Sequence, residues 1–276
     1  MSTTDVALRD ASGLPGQKRV VNDMTIQVAT VNGSGSQSSN SVLLRSIFQM
    51  GVPVSGKNMF PSNIAGLPTW FTIRANKDGY IARKKEIDFL VAMNAETAQD
   101  DVKSLAPGAV VLYDEPLNLN QVRKDLIFYA VPFDKIVAPV CAEAKLRKLV
   151  KNMVYVGVVA KLLSIDMAEV EKAIRTQFAS KPKAANLNLA AAKAGYDYTA
   201  ASLTKLGPYV IERMNKTEGK IIIDGNSAAA LGCMFAGVTV VTWYPITPSS
   251  SLVETLIEYM KEYRIGPDGK ATFAIV

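Results

Sequence analysis

Histidine is absent from all 276 residues, and cysteine occurs only twice, at Cys141 and Cys233. Without imidazole there is no histidine general base, no Ser–His–Asp arrangement and no histidine-ligated metal. Two thiols fall short of the four that hold an iron–sulfur cluster, and they make no disulfide framework, so a reducing, cytoplasmic setting is expected. Aromatic residues are 8% of the chain and do not interleave with basic ones along any stretch, which argues against nucleic acid as a partner. Long apolar runs are missing too. The N-terminus, Met1-Ser2-Thr3-Thr4-Asp5, is polar, with no apolar signal region. The most apolar helical stretch, Met153 to Leu163, is interrupted by Lys161 and is too short for a bilayer, so no membrane association is expected.

What is present is the composition of an ordinary globular chain, 49% hydrophobic and 20% charged. Lysine and arginine outnumber acids 31 to 25, for a net charge of +6. That excess fits a solvated basic surface or the attraction of an anionic ligand such as a nucleotide.

Periodicity divides the chain. Residues 1–21, with Ser12-Gly13 and Pro15-Gly16, read as an N-terminal arm. Met24 to Val31 alternates as a strand does, and a glycine- and serine-rich turn from Asn32 to Asn40 follows. Leu43, Ile47 and Met50 then share one helical face, with Gly51 placed to end the helix. Strand, glycine-rich turn and helix open a doubly wound α/β domain. Asn76-Lys77-Asp78-Gly79 between Thr69–Arg74 and Gly79–Arg83 predicts a hairpin. Apolar runs at Phe89–Met93, Ala109–Tyr113 and Ile136–Val140 predict buried strands, and Cys141–Leu163 a helix. Asp166-Met167-Ala168-Glu169 has the form of a reciprocal helix cap. Ala184–Tyr196 predicts a helix ending at Gly195. Residues 204–219, with Pro208 and the polar run Asn215–Lys220, read as a linker. A second α/β start follows: the apolar run Ile221–Ile223, a turn at Gly225-Asn226, a helix over Ser227–Phe235 and a strand over Val238–Thr242. A helix from Leu252 to Tyr263 and a strand over Thr272–Val276 complete it, and such a half-sheet is not expected to stand alone.

Gly33-Ser34-Gly35-Ser36-Gln37 lies where backbone N–H groups approach a phosphate at a helix N-terminus, although a plain tight turn explains the same residues. Asn152-Met153, Lys181-Pro182, Asn188 through Gly195-Tyr196, and the segment from Gly51 through Lys57 to Thr69 add context. Together they resemble the gamma domain of 2-oxoacid:ferredoxin oxidoreductases, over residues 22–203. Gly225-Asn226-Ser227-Ala228 followed by Tyr244-Pro245-Ile246-Thr247-Pro248-Ser249-Ser250 resembles the opening of the alpha subunit of the same family. The sequence departs from the family pattern at Ser36 and Ser38, where glycines are usual. It departs again at Ile64-Ala65-Gly66-Leu67-Pro68, where an arginine followed by two glycines is usual.

The resemblance implies a Rossmann-like gamma domain that handles CoA, followed over residues 220–276 by the start of a pyrimidine-type thiamine-diphosphate domain. It implies oxidation of a 2-oxoacid with CoA and ferredoxin to acyl-CoA and carbon dioxide, or the reverse. Gamma before alpha in one chain suggests 2-oxoglutarate; pyruvate or an aryl-pyruvate is the alternative, as is a CoA- or nucleotide-binding module without catalysis. Gly33, Ser34, Gly35, Ser36, Gln37 and Ser38 would take CoA phosphates, with Lys57, Asn58, Ser62 and Asn63 near them or merely on the surface. Tyr244, Pro245, Ile246, Thr247 and Ser249 would meet the substrate, with Thr247 as the donor to its carboxylate. Thiamine diphosphate with Mg2+ would be shared with a beta subunit that carries a 4Fe–4S cluster and passes electrons to ferredoxin, in a dimer of heterodimers. The family's thiamine-activating glutamate falls beyond Val276, so this piece alone is expected to be inactive. Glu254 and Glu258 read as a solvated helix face, and Cys233 as a small packing residue.

Overall fold

The computed structural model describes residues 18–59, 64–247 and 249–276. Most of the expected arm, together with Ser62, Asn63 and Pro248, lies outside the described residues. Two compact units divide between Gly219 and Lys220.

Unit 1 runs β1 (Val20–Val21), β2 (Asp23–Val31), α1 (Ser36–Gln49), β3 (Val54–Met59), β4 (Pro68–Asn76), β5 (Phe89–Ala92) and α2 (Ala98–Lys103). It continues β6 (Val110–Asp114), β7 (Ile127–Val131), α3 (Phe133–Val137), α4 (Ala144–Leu163), α5 (Met167–Gln177), α6 (Pro182–Ser202) and β8 (Tyr209–Val210). The main sheet has the order β3-β4-β2-β5-β6-β7. Strands β2, β5, β6 and β7 are parallel, whereas β4 runs antiparallel to both β2 and β3. The architecture is the expected α/β one, with helices on both faces of a mostly parallel sheet.

Alternation makes the two faces. Met24, Ile26 and Val28 of β2 are fully buried on one side, while Ala29 joins Leu90, Ala92, Val111, Ala98 and Val102 in a cluster under α2 on the other. Helix α4 is apolar nearly all round from Val150 to Leu163 and is correspondingly the buried central helix. Its crossing with α6 needs glycines. A Cβ on Gly157 would stand 1.8 Å from the Ala192 carbonyl oxygen, and one on Gly195 would stand 2.2 Å from that of Val154. Gly195 therefore lies inside α6, at its closest approach to α4, and does not end the helix.

Several other expectations change. The hairpin at Asn76–Gly79 does not form, because β2 and β3 already occupy both edges of β4. Asn76 Oδ1 instead accepts from the Asp78 and Tyr80 amides and turns the chain away. Ile136–Val140 is not a strand: Phe133 and Val137 bury one turn apart on α3, and β7, which the sequence reading missed, takes the sheet edge. Asp166 does precede α5 but makes no side-chain cap; Arg213 holds both it and Glu169. Residues 204–217 do not hang free. β8 pairs with β1, Glu212 N donates to Asn22 Oδ1, Met214 N to Met50 O and Lys216 N to Gly51 O. Gly51 is required there twice, by its φ of +80° and by the Met214 carbonyl oxygen 1.8 Å from where a Cβ would be.

Unit 2 comprises α7 (Gly225–Phe235), β9 (Val240–Val241), α8 (Ser250–Tyr263) and β10 (Ala274–Ile275), with β9 and β10 parallel. Ile221–Ile223 forms no strand, and Ile221 is exposed. The small core contains Ala230, Val241, Leu256 and Met260, with Cys233 packed against it.

Candidate functional site

Chain connections leave β2 and β5 in opposite directions. After β2 the chain moves through α1 to β3 and β4 on one side; after β5 it moves through α2 to β6 and β7 on the other. The carboxyl ends of β2 and β5 therefore flank a topological switch point, where doubly wound sheets bind ligands.

The glycine loop stands at that point. Gly33 (φ +82°) and Gly35 (φ +79°) are both left-handed, which lets the loop turn tightly into α1. Gly35 is the N-cap of α1, contributes no side chain, and no acid occupies the first turn. The amides that open α1, including those of Gln37 and Ser38, thus combine with the positive end of the helix dipole. Gln37 is exposed and Ser38 half-buried.

The loop is held from behind. Ser36 Oγ lies 2.8 Å from Thr30 Oγ1, and Asn152 Nδ2 of α4 donates to the Ser34 carbonyl at 2.7 Å. One turn along α4, the fully buried Tyr155 hydroxyl donates to Asn40 Oδ1 at 2.7 Å. Burial pushes the Tyr155 phenol far above its ordinary range, so it stays a neutral donor. From the other side, Asn32 N donates to Leu67 O and Gly66 N returns the bond to Asn32 O. The departed element at Ile64–Pro68 is thereby a brace for the loop.

Three buried polar atoms without partners mark the same sheet edge: Ser34 Oγ after β2, Asn94 Nδ2 after β5 and Asp114 Oδ1 at the end of β6. Buried donors and acceptors are normally satisfied, so such a row suits polar atoms of a ligand or water. The other Asp114 oxygen accepts from Lys151 Nζ at 3.2 Å, and Lys151 also reaches Asp134 at 3.3 Å. Asn94, Asp114, Lys151 and Tyr155 went unrecognised in the sequence. A signal existed for Asn94, a polar residue directly after a buried strand and before a helix.

Lys57 and Asn58 do not lie on a loop. Both are exposed on β3, the outer strand, two strands from the glycine loop and on opposite faces of the sheet. Asn58 Oδ1 accepts from Thr69 Oγ1 at 3.1 Å.

In unit 2, β9 leads into the turn Tyr244–Thr247, with Tyr244 72% and Ile246 53% exposed. Ser249 is the N-cap of α8, and its Oγ donates to the Ile246 carbonyl at 2.9 Å. Asp224 caps α7 by accepting from Ser227 N at 2.9 Å, and this backbone bond above all lowers its pKa. Asn226 Nδ2 donates to Ser251 Oγ at 2.7 Å, which ties the first turns of α7 and α8 together beside the Tyr244–Thr247 turn. Among the described residues, no cluster of His, Cys, Asp or Glu could hold a metal ion and no helix is long and apolar enough to cross a membrane.

Residues 25–198 match the family model described as pyruvate ferredoxin/flavodoxin oxidoreductase. An alpha subunit of 2-oxoacid:ferredoxin oxidoreductase from Aeropyrum pernix is 22% identical, over 83% of this chain and 42% of its own length. A 2-oxoglutarate oxidoreductase subunit of Mycobacterium tuberculosis is 25% identical, over 89% of this chain and 42% of its own length. The chain thus spans less than half the length of these relatives. The fold is similar to that of 2-oxoglutarate:ferredoxin oxidoreductase from Magnetococcus marinus, solved with 2-oxoglutarate, coenzyme A and succinyl-CoA bound. The TM-score is 0.77 at 24% identity, over 89% of this chain and 42% of that one.

Proposed function

The chain belongs to the pyruvate ferredoxin/flavodoxin oxidoreductase family, and on that premise we propose that it is the CoA-handling part, with the start of the thiamine-diphosphate domain, of a 2-oxoglutarate:ferredoxin oxidoreductase. The reaction converts 2-oxoglutarate, CoA and oxidised ferredoxin to succinyl-CoA, carbon dioxide and reduced ferredoxin, with two electrons leaving to ferredoxin. One observation carries the reading: a doubly glycine-hinged, uncapped helix N-terminus at the switch point, with Ser34 and Asn94 holding unpartnered polar atoms at the same edge. That donor set fits the phosphates of CoA. Gly33, Ser34, Gly35, Ser36, Gln37 and Ser38 would supply the cradle; Lys57 and Asn58, on opposite faces of β3 and two strands away, would not share in it.

Thiamine diphosphate, when bound with Mg2+, supplies the carbanion chemistry. Thr247, in the Tyr244–Ser249 turn, would donate a neutral hydrogen bond to the substrate carboxylate. A neutral donor suits a decarboxylation, because a fixed cation would stabilise the carboxylate of the ground state and raise the barrier to losing it. A beta subunit with a 4Fe–4S cluster would carry the electrons onward. The choice of 2-oxoglutarate is supported by the order of the two units in one chain and by the relatives named for that substrate.

The test uses the native assembly that contains this chain. Ferredoxin reduction should require CoA and proceed faster with 2-oxoglutarate than with pyruvate or phenylpyruvate. Faster turnover of pyruvate would overturn the choice of substrate, and CoA-independent turnover would overturn the role of unit 1.

A further inference from the structure

Helix α4 overlooks the glycine loop with one face, and that face carries more than the loop requires. Asn152 donates to Ser34 O, and Leu149 Cδ2 lies 2.8 Å from where a Gly35 Cβ would be. At 3.6 residues per turn, positions 145, 148, 149 and 152 share a stripe about 100° wide. Lys145 and Lys148 thus stand on the face that touches the loop, about 10 and about 6 Å along the axis from Asn152. Both are exposed, and neither forms an ion pair with any described residue. Their neighbours differ: Arg147 is spent on the Cys141 and Ala142 carbonyls, and Lys151 on Asp114 and Asp134.

Two ammonium groups with no ion pair among the described residues, beyond a phosphate cradle, call for a second anion on the same ligand. Building on the reading of unit 1 as a CoA domain, we propose that Lys145 and Lys148 form a subsite for a phosphomonoester, distinct from the diphosphate that the glycine loop takes. In CoA that group is the phosphate on the ribose. The exposed Leu149 between the two subsites supplies an apolar surface for the sugar and base that separate the two anions. Charge-assisted hydrogen bonds from exposed lysines require no repacking of the fold, so this pair acts on specificity and leaves the fold untouched.

Calorimetry on the full chain with CoA and with dephospho-CoA, which differ only in that phosphomonoester, tests the subsite. The wild-type chain should prefer CoA by about tenfold, the scale of one charge-assisted bond at a partly exposed site. In the Lys145→Ala, Lys148→Ala double variant the preference should collapse, with dephospho-CoA affinity unchanged and an unchanged melting temperature. Lys148→Glu should favour dephospho-CoA. Equal binding of the two ligands by the wild-type chain, or a preference that survives in the double variant, overturns the subsite and leaves the CoA reading standing. Failure of the folded wild-type chain to bind either ligand removes both.

Discussion

Thr247 has the most to reveal among single residues. It is exposed in the turn before α8, whose N-cap is Ser249, two residues further on. Valine keeps its branched shape and deletes the hydroxyl. If that hydroxyl serves the substrate carboxylate, Thr247→Val should leave folding intact and lower kcat/KM of the complete enzyme by roughly 10- to 100-fold, equivalent to about 1.5–3 kcal/mol. If the hydroxyl serves only the local turn, kinetics will hold and stability will fall by about 1 kcal/mol. Steady-state kinetics and a melting curve on one preparation separate these.

Asp88 carries a second prediction at this scale. Burial raises its pKa above 3.8, against hydrogen bonds from Thr25 N at 2.7 Å and Tyr209 Oη at 3.3 Å that act to lower it. The folded state holds this proton more tightly than the unfolded chain does. Its contribution to stability is therefore complete below pH 3.8 and is lost as pH rises through the raised folded value. Asp88→Asn is neutral throughout and lacks this dependence. Melts at pH 4 and pH 7 should show the variant gaining on the wild-type chain at the higher pH; a constant difference would contradict the shift.

Elements were legible in the sequence where one local pattern decided them. The alternation of Met24–Val31 and the apolar stripe of Leu43 and Ile47 were enough to place β2 and α1. The glycine-rich turn between them was expected as far as Asn40, but α1 already begins at Ser36, because small polar residues such as Ser36, Ser38 and Ser39 do not mark a first helical turn by any apolar pattern. Long-range competition was not legible. Thr69–Arg74 is a strand as expected, but nothing local says that β2 and β3 will claim both its edges and displace the hairpin. Val54–Met59, with glycine and three polar residues, carries no strand pattern because β3 is an edge strand with exposed side chains. Residues 204–217 look like a linker because several of their bonds come from backbone groups, which leave no mark on composition, while side-chain anchors such as Arg213 meet partners far away in sequence. Asn152 stood out through family resemblance alone, and its bond to Ser34 across 118 positions emerged only in the structure.

Gly195 shows the same limit and yields a prediction about elements. A glycine in a helical run can end a helix or admit another one, and only the packing partner decides. Gly157→Ala would drive a methyl group into the Ala192 carbonyl, where backbone must give way. It should destabilise unit 1 by about 1–3 kcal/mol or more. Gly232→Ala, on α7 with nothing within 4 Å of the new Cβ, should stabilise unit 2 by up to about 1 kcal/mol through helix propensity alone. Thermal denaturation followed by circular dichroism checks both; equal effects at the two sites would mean that α4 and α6 do not cross as closely as described.

For the whole molecule, the central proposal is a division of labour between the units: unit 1 would bind CoA at the switch point, and unit 2 would present the substrate-facing turn. Hydrogen–deuterium exchange of the full chain with and without CoA tests it most directly, because it reads every segment in one experiment. CoA should protect amides of residues 33–40, where the loop enters α1, together with those following β5 near Asn94. Exchange around Tyr244–Thr247 should remain unchanged. Protection confined to unit 2, or no protection anywhere at saturating CoA, would contradict the account.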